Sequence, residues 1–306
     1  MSERIDLLVK IASLYYEEGK TQTEISRIMN LSRPTVASML QEAKDTGIVK
    51  IVIQHTNQST INRQNELKEK YQLKNVLIAT GNSHDVKSEV GSLCATLVEE
   101  MLPLKKHIGV SWGTTVYEYV QHARYFDYKE LSIVPLVGGV GNDNMKYHSN
   151  HLSFILSEKY NCQVNYFYAP AVAETVEQKE MFLDTELVKY ITDLGKNVDL
   201  AILGIGNPGE SSTYKNMATV TPEEIEELKN GQVIGDIGSS FFDQDGNEVA
   251  TSLSKRMIGL SLADLTKIPD TVILASGEEK ILAIKALLKN RIIDHLIIDA
   301  SIAEAL

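Results

Sequence analysis

The chain has 306 residues, 43% of them hydrophobic, and a formal net charge of −11. That length exceeds one ordinary domain and supports a sizeable core, so the prior is one large and one small domain. The charge excludes a uniformly basic nucleic-acid binder, but it is unevenly spread: residues 1–55 hold seven Lys/Arg and seven Asp/Glu, so all the net acidity belongs to the rest. No apolar run reaches membrane-spanning length, the N-terminus lacks a signal-peptide pattern, and Cys94 and Cys162 have neither zinc-site nor disulfide spacing. Free thiols and a cytoplasmic location are the expectation.

Residues 3–19 read as a helix, with Ile5, Leu8, Ile11, Ala12, Tyr15 and Tyr16 at helical spacing and Gly19 as its stop. Residues 21–45 read as two short helices joined by a tight turn at Asn30-Leu31. Thr21 and Glu24 form a capping box, and Ser32 is an N-cap with Pro34 in the first turn behind it. Ile25, Ile28, Leu31, Val36 and Leu40 are expected to pack inward. Arg33, Thr35, Ser38, Gln41 and Lys44 are then presented outward, side chains suited to base edges and phosphates. A solvated helical hairpin is the plain alternative; the absence of any acid over Arg33–Met39 favours DNA. The expected DNA-contacting set is Thr21, Gln22, Ser32, Arg33, Pro34, Thr35, Ser38, Met39 and Gln41. An uncharged head binds weakly alone, so two copies on a palindromic site are expected.

Residues 48–53 are β-rich and read as a wing. A polar stretch follows, so the expected division is a DNA-binding domain over 1–55, a linker over 56–66 and an effector domain over 67–306, its first helix starting near Leu67. From residue 75 strands and helices alternate. Strands are expected at 75–80, 107–112, 131–137, 163–169, 199–206, 271–276 and 295–299. Helices are expected at 85–101, 114–123, 149–160, 184–194, 221–229 and 278–289. The fold class is α/β: a doubly wound, mostly parallel sheet behind a winged-type helix-turn-helix head.

Ligands of such sheets bind beyond the carboxyl ends of the strands. Gly113-Thr114-Thr115 opens a helix after a strand, an anion cradle with phosphate as the favoured anion. Gly138 and Gly139 follow another strand, Gly204 and Gly206 a third. Lys280 sits in a helix's first turn, where a cation opposes the macrodipole unless an anion is bound. Taken singly, these features are also a helix cap, tight turns and a surface charge; their joint occurrence points to a small phosphorylated ligand. Asp236 is suited to sugar hydroxyls or to a structural cap, while Asp243 and Asp245 read as turn acids. His148 and His151 lack a third metal ligand, and no nucleophile has an activating partner, so neither metal, cofactor nor nucleophilic catalysis is expected.

The stretches LYYEEGKTQTEISRIMNLSRPTVASMLQEAKDTGIVKI, IGVSWGTT, VPLVGGVG, IGDIGSSFFDQDGNEV and ASGEEKILAIKALL…LIIDASIAEAL run along nearly the whole chain. Together they resemble the SorC family of bacterial sugar-responsive transcription regulators, on the branch holding the deoxyribonucleoside regulators of Gram-positive bacteria. The resemblance implies a helix-turn-helix head and an effector domain related to sugar-phosphate isomerases and deaminases. It also implies tetramers arranged as dimers of dimers, and a phosphorylated sugar that alters operator affinity. Carried over by position, Gly113, Thr114, Thr115 and Lys280 hold the phosphate, Asp236 faces sugar hydroxyls, and His148 occupies a ligand-facing position that is Gln in some relatives. Val137 is a departure, because some relatives carry a basic residue there. An enzyme acting on a sugar phosphate is the alternative from another class, and a constitutive DNA-binding scaffold with a vestigial pocket is a third.

Overall fold

The computed structural model describes residues 2–49, 58–81, 86–139, 145–209 and 220–306. It divides into two compact units, Met1–His55 and Thr56–Leu306.

The first unit is built from α1 (Ser2–Tyr16), α2 (Gln22–Met29) and α3 (Arg33–Asp45). Leu8, Ile11, Leu14, Ile25, Val36, Met39 and Leu40 form its core. Thr21 and Glu24 make the reciprocal capping box of α2, and Ser32 accepts the Thr35 N–H to start α3. Between them Asn30 turns the chain in the left-handed region, at φ 52°, a conformation Asn tolerates better than most residues. Two side chains depart from expectation. Ile28 is 54% exposed and Met39 only 2%. The inward stripe of α2 runs from Ile25 to the half-buried Met29, which rotates Ile28 outward. The inward stripe of α3 is Val36, Met39, Leu40 and Ala43, so Met39 packs in the core and is withdrawn from the DNA-facing set. Most of the expected wing, residues 50–53, lies outside the described residues.

The second unit opens with α4 (Gln58–Tyr71). The stretch read as a linker up to residue 66 is therefore helical from Gln58. Its apolar anchors are sparse, Leu67 being fully buried, and polar groups hold the rest: the Arg63 guanidinium donates to the Ala303 carbonyl at 2.7 and 2.9 Å, and the Gln64 side-chain amide to the Val76 carbonyl at 2.9 Å. Chain order continues with β1 (Asn75–Ala79), α5 (Val86–Met101), β2 (His107–Val110), α6 (Thr114–His122), β3 (Ser132–Pro135), α7 (Ser149–Tyr160) and β4 (Gln163–Val164). Next come α8 (Val176–Asp184), α9 (Glu186–Lys196), β5 (Leu200–Gly204), α10 (Pro222–Asn230), β6 (Gly235–Ile237), β7 (Ser240–Phe242) and α11 (Leu262–Leu265). The chain finishes with β8 (Thr271–Ala275), α12 (Ile281–Lys289), β9 (His295–Asp299) and α13 (Ala300–Ala305).

Seven strands form one sheet in the order β1-β9-β8-β5-β2-β3-β4, every pair parallel, while β6 and β7 make a separate antiparallel hairpin. Both faces are covered, as a parallel sheet requires. Ile108, Val110, Leu200, Ile202, Val272, Leu274 and Ile297 point to one face, against Val90, Cys94, Val116, Tyr119 and Leu156 of α5, α6 and α7. Their alternates Ala201, Leu203, Ile273, Leu296 and Ile298 point to the other, with Val188, Ile284, Leu287 and Ile302. This is the period of two expected of strands buried on both sides.

The strand expected at 163–169 stops at Val164. Asn150 of α7 accepts the Phe167 N–H at 2.8 Å and donates to the Phe167 carbonyl at 3.1 Å, taking the place of a neighbouring strand. The helix expected at 184–194 is α9, and α8 before it was not expected; α8 buries none of its side chains and so leaves no apolar period to read.

At the amino ends of the strands, Asp270 accepts from Lys74 at 2.7 Å, Lys105 at 2.5 Å and His295 at 3.1 Å. Burial pushes this carboxyl up, and the hydrogen bonds from Lys105, Lys74 and His295 outweigh burial, holding it well below the ordinary carboxylate value. A group with a depressed pKa contributes stability above its unfolded value, near 3.9, and loses it as pH falls through the folded one. Asp270→Asn is expected to cost about 3 kcal/mol at pH 7, the scale of removing one partner of a buried pair. In thermal melts the deficit against the parent should narrow only below about pH 4.

Candidate functional site

Three neighbouring strands at the middle of the sheet, β8, β5 and β2, end on a single cavity of about 250 Å³. From β2 come Trp112, Gly113, Thr114 and Thr115; from β5 come Gly204, Ile205 and Gly206; from β8 come Ser276, Glu279 and Lys280; Asp236 and Gly238 enter from the β6–β7 hairpin.

Each wall has a local cause. Gly113 has φ +121° and ψ 163°, which a side chain would strain; its N–H donates to the Tyr147 carbonyl at 3.0 Å. The donors left to face the cavity are those of the first turn of α6, which begins at Thr114. The β8 end repeats the device. Gly277 has φ +103°, and its N–H donates to Asp299 Oδ2 at 2.7 Å. The other oxygen of Asp299 accepts the Ile302 N–H and the Ser301 hydroxyl, capping α13. Asp299 thus ties the end of β9 to the turn that carries Lys280, which is only 5% exposed. Asp236 is 4% exposed and exchanges backbone hydrogen bonds with Gly206 at 2.9 and 3.1 Å. A Cβ on Gly206 would stand 2.1 Å from Asp236 Oδ1, so the glycine is what lets that carboxyl reach the cavity.

Gly113, Thr114, Thr115, Asp236 and Lys280, all expected from sequence, are therefore brought together. Gly138 and Gly139 are not among the lining residues. Gly138 N–H donates to the Ile258 carbonyl, Gly139 N–H to the Ala169 carbonyl, and a Cβ on Gly138 would meet the Pro170 carbonyl oxygen at 2.5 Å. Gly138 allows two backbones to cross closely, whereas a Cβ on Gly139 would meet only ordinary contacts; neither is among the lining residues, and both are withdrawn as ligand groups. His148 is the buried N-cap of α7 and is likewise absent from the lining. Its neighbour Tyr147 supplies the carbonyl under Gly113, so this segment supports the cradle from behind. Val137 is fully buried, and its carbonyl accepts the Ser149 hydroxyl at 2.6 Å. Lys87, Ser276 and Glu279 line the cavity without having been singled out in sequence.

On the first unit, Arg33, Pro34, Thr35, Ser38, Gln41 and Lys44 are exposed along α3. Thr21, Gln22 and Arg33 surround an open depression together with Tyr15 and Lys20, two residues outside the DNA-contacting set expected from sequence. The hydroxyls of Thr21 and Ser32 are engaged in capping, and the Gln41 amide donates to Asp45 at 2.9 Å.

An all-parallel sheet with a charged cavity on its central strand ends places the second unit in the α/β class of open sheets. Residues 55–306 match the Sugar-bind family, described as "Putative sugar-binding domain", and the chain belongs to that family. It is 29% identical to the sorbitol operon regulator of Klebsiella pneumoniae over 100% of this chain and 98% of that one. It is 28% identical to the deoxyribonucleoside regulator of Bacillus subtilis, over 99% and 98%. Among solved structures, the full-length SorC of K. pneumoniae superposes with a TM-score of 0.83 at 29% identity, covering 98% of this chain and 97% of that one. A DeoR family transcriptional regulator from Listeria monocytogenes gives 0.75 at 31%, covering 81% and 99%. No helix among the described residues is long and apolar enough to cross a membrane.

Because Gly138 is required by the Pro170 crossing rather than by a ligand, Gly138→Ala is expected to cost about 1–3 kcal/mol through overpacking. The check is a lower melting temperature with an unaltered Trp112 emission response to added ligands.

Proposed function

We propose that this chain regulates a carbohydrate-utilisation operon by binding operator DNA through its first unit, with affinity set by a phosphorylated sugar in the cavity of the second. The observation that carries the reading is the pairing, in one cavity, of a helix N-terminus bearing Thr114 and Thr115 with the buried ammonium of Lys280. Backbone N–H groups at a helix start and a desolvated cation are the donors a phosphate monoester takes. Asp236, across the same cavity, is an acceptor for sugar hydroxyls. On the first unit, Arg33, Thr35, Ser38 and Gln41 present the reading face, Arg33 and Lys44 the phosphate-pairing charges. Thr21 and Ser32 act there by shaping the two helix starts. A homotetramer, as a dimer of dimers on a palindromic operator in the cytoplasm, is the assembly this reading entails. The sorbitol operon regulator and the deoxyribonucleoside regulator are named as regulators, which supports this reading over a sugar-phosphate enzyme.

The switch is linkage: a ligand that favours one quaternary arrangement shifts the population toward it, with couplings of about 1–3 kcal/mol in typical systems. Arg33→Ala is expected to weaken operator binding at least tenfold while leaving the melt shift given by phosphosugars unchanged. Lys280→Ala is expected to do the reverse, holding operator DNA and ignoring effector. Saturating ligand, about 100 times its Kd, should add about 2.7 kcal/mol of apparent stability to the parent. Equal damage to both functions by either variant would overturn the division of labour.

A further inference from the structure

Lys87 stands in the first turn of α5 and lines the same cavity as Thr114, Thr115 and Lys280. Its Nζ donates to Thr114 Oγ1 at 3.1 Å. That contact places an ammonium at the opening of the α6 N-terminus, on an element separate from the one that carries Lys280. It also orients the threonine: a hydroxyl that accepts from Lys87 has to direct its own proton to another acceptor. Glu89, on the same turn of α5, is directed elsewhere: its carboxylate receives the Thr80 and Gly81 N–H groups at 3.1 and 2.6 Å. Among the described residues the one hydrogen-bond partner of the Lys87 ammonium is Thr114. A lysine in the first turn of a helix opposes the macrodipole, a placement that an anion bound between α5 and α6 would reverse in sign.

Charge counting within the cavity leads further. Among the described residues its lining contains two cations, Lys87 and Lys280, and two carboxylates, Asp236 and Glu279. With Lys280 alone the lining would be net negative, and a phosphate monoester dianion would meet one ammonium against two carboxylates. We infer that Lys87 is the second cation of the anion site. It contacts a ligand phosphate directly, from a helix other than the one that carries Lys280, and makes the cavity selective for a phosphate dianion over the unphosphorylated sugar. The inference rests on the phosphate reading of the cavity and adds to it a ligand group on a different helix.

The test uses the full chain and inorganic phosphate as probe, at constant ionic strength, read by Trp112 emission and by thermal melts. Lys87→Ala is expected to raise the apparent Kd for phosphate about tenfold or more, and Lys87→Arg to stay within about threefold of the parent. Lys87 is exposed, so the melt without phosphate should not move. Thr114→Ala separates contact from positioning. If Lys87 touches the anion, Lys87→Ala still weakens binding in the Thr114→Ala background; if it acts only by orienting Thr114, the second substitution changes nothing and direct contact is overturned. A parent that responds to phosphate beside a Lys87→Ala variant that responds equally overturns the role of Lys87 alone. A parent that ignores phosphate overturns the phosphate reading and the role of Lys87 with it.

Discussion

The uniform direction of the seven paired strands is the constraint on which the site depends. A parallel pair needs a crossover, and a crossover helix that follows its strand begins at the strand's carboxyl end. The helices after β1, β2 and β8 therefore open on one edge of the sheet. Each contributes unsatisfied N–H groups and a partial positive charge to that edge. Because β8, β5 and β2 are neighbours in the sheet, two of these helix starts flank a strand, β5, that ends in Gly204-Ile205-Gly206. Gly206 keeps that floor low enough for Asp236 to enter from the β6–β7 hairpin. One antiparallel strand in the middle would send its helix to the other edge and break the arrangement.

Two of the three helix starts are held by their neighbours rather than by their own sequence. The Gly113 N–H is taken by the Tyr147 carbonyl, and the Gly277 N–H by Asp299. Each bond removes a donor next to the cavity and in exchange fixes the turn. The donors that remain are the ones aimed inward. Such preorganisation matters because ordering a loose turn at the moment of binding costs conformational entropy that a fixed turn does not. Asp299 is at once an N-cap and a brace, so its loss would loosen α13 and the Lys280 turn together.

Much of this was legible in the sequence, and the limits follow from physics. Apolar runs marked the central strands because those strands are buried on both faces. Gly-Thr-Thr, Lys280 and Asp236 stood out because each is unusual where it stands: a glycine before a helix, a cation at its positive end, an acid among glycines. Lys87 could not be read that way. It is an ordinary lysine near the start of an amphipathic helix, and only the packing of α5 beside α6 brings it to Thr114. Asp299 was hidden for the same reason, its partners being far apart in sequence. Gly138 misled because a glycine needed for close backbone crossing and a glycine needed for ligand approach look alike in one dimension. Met39 misled because the inward stripe of α3 is four residues wide, broader than Val36 and Leu40 alone suggest. The helix over residues 58–66 was missed because its face is held by Arg63 and Gln64 bonding to backbone carbonyls rather than by an apolar stripe.

On the proposed reading, the acidity of the chain sharpens what both surfaces have to do. At a formal charge of −11 the far field repels phosphate esters and DNA alike. Screening cuts that repulsion off over about 8 Å at physiological ionic strength, so anion binding has to be won at contact distance. Inside the cavity this favours fixed N–H groups and a buried ammonium, since both act in a low dielectric where a short-range attraction counts for more. On the first unit the solution is different: its formal charge is zero over residues 1–55, and the exposed face from Arg33 to Ser38 carries no acid. A neutral head supplies little counterion release of its own. On the proposed reading, recognition then leans on base-edge contacts and on the joint placement of several heads. That is the situation in which a ligand acting on the assembly, rather than on the reading helix, has the most leverage over occupancy.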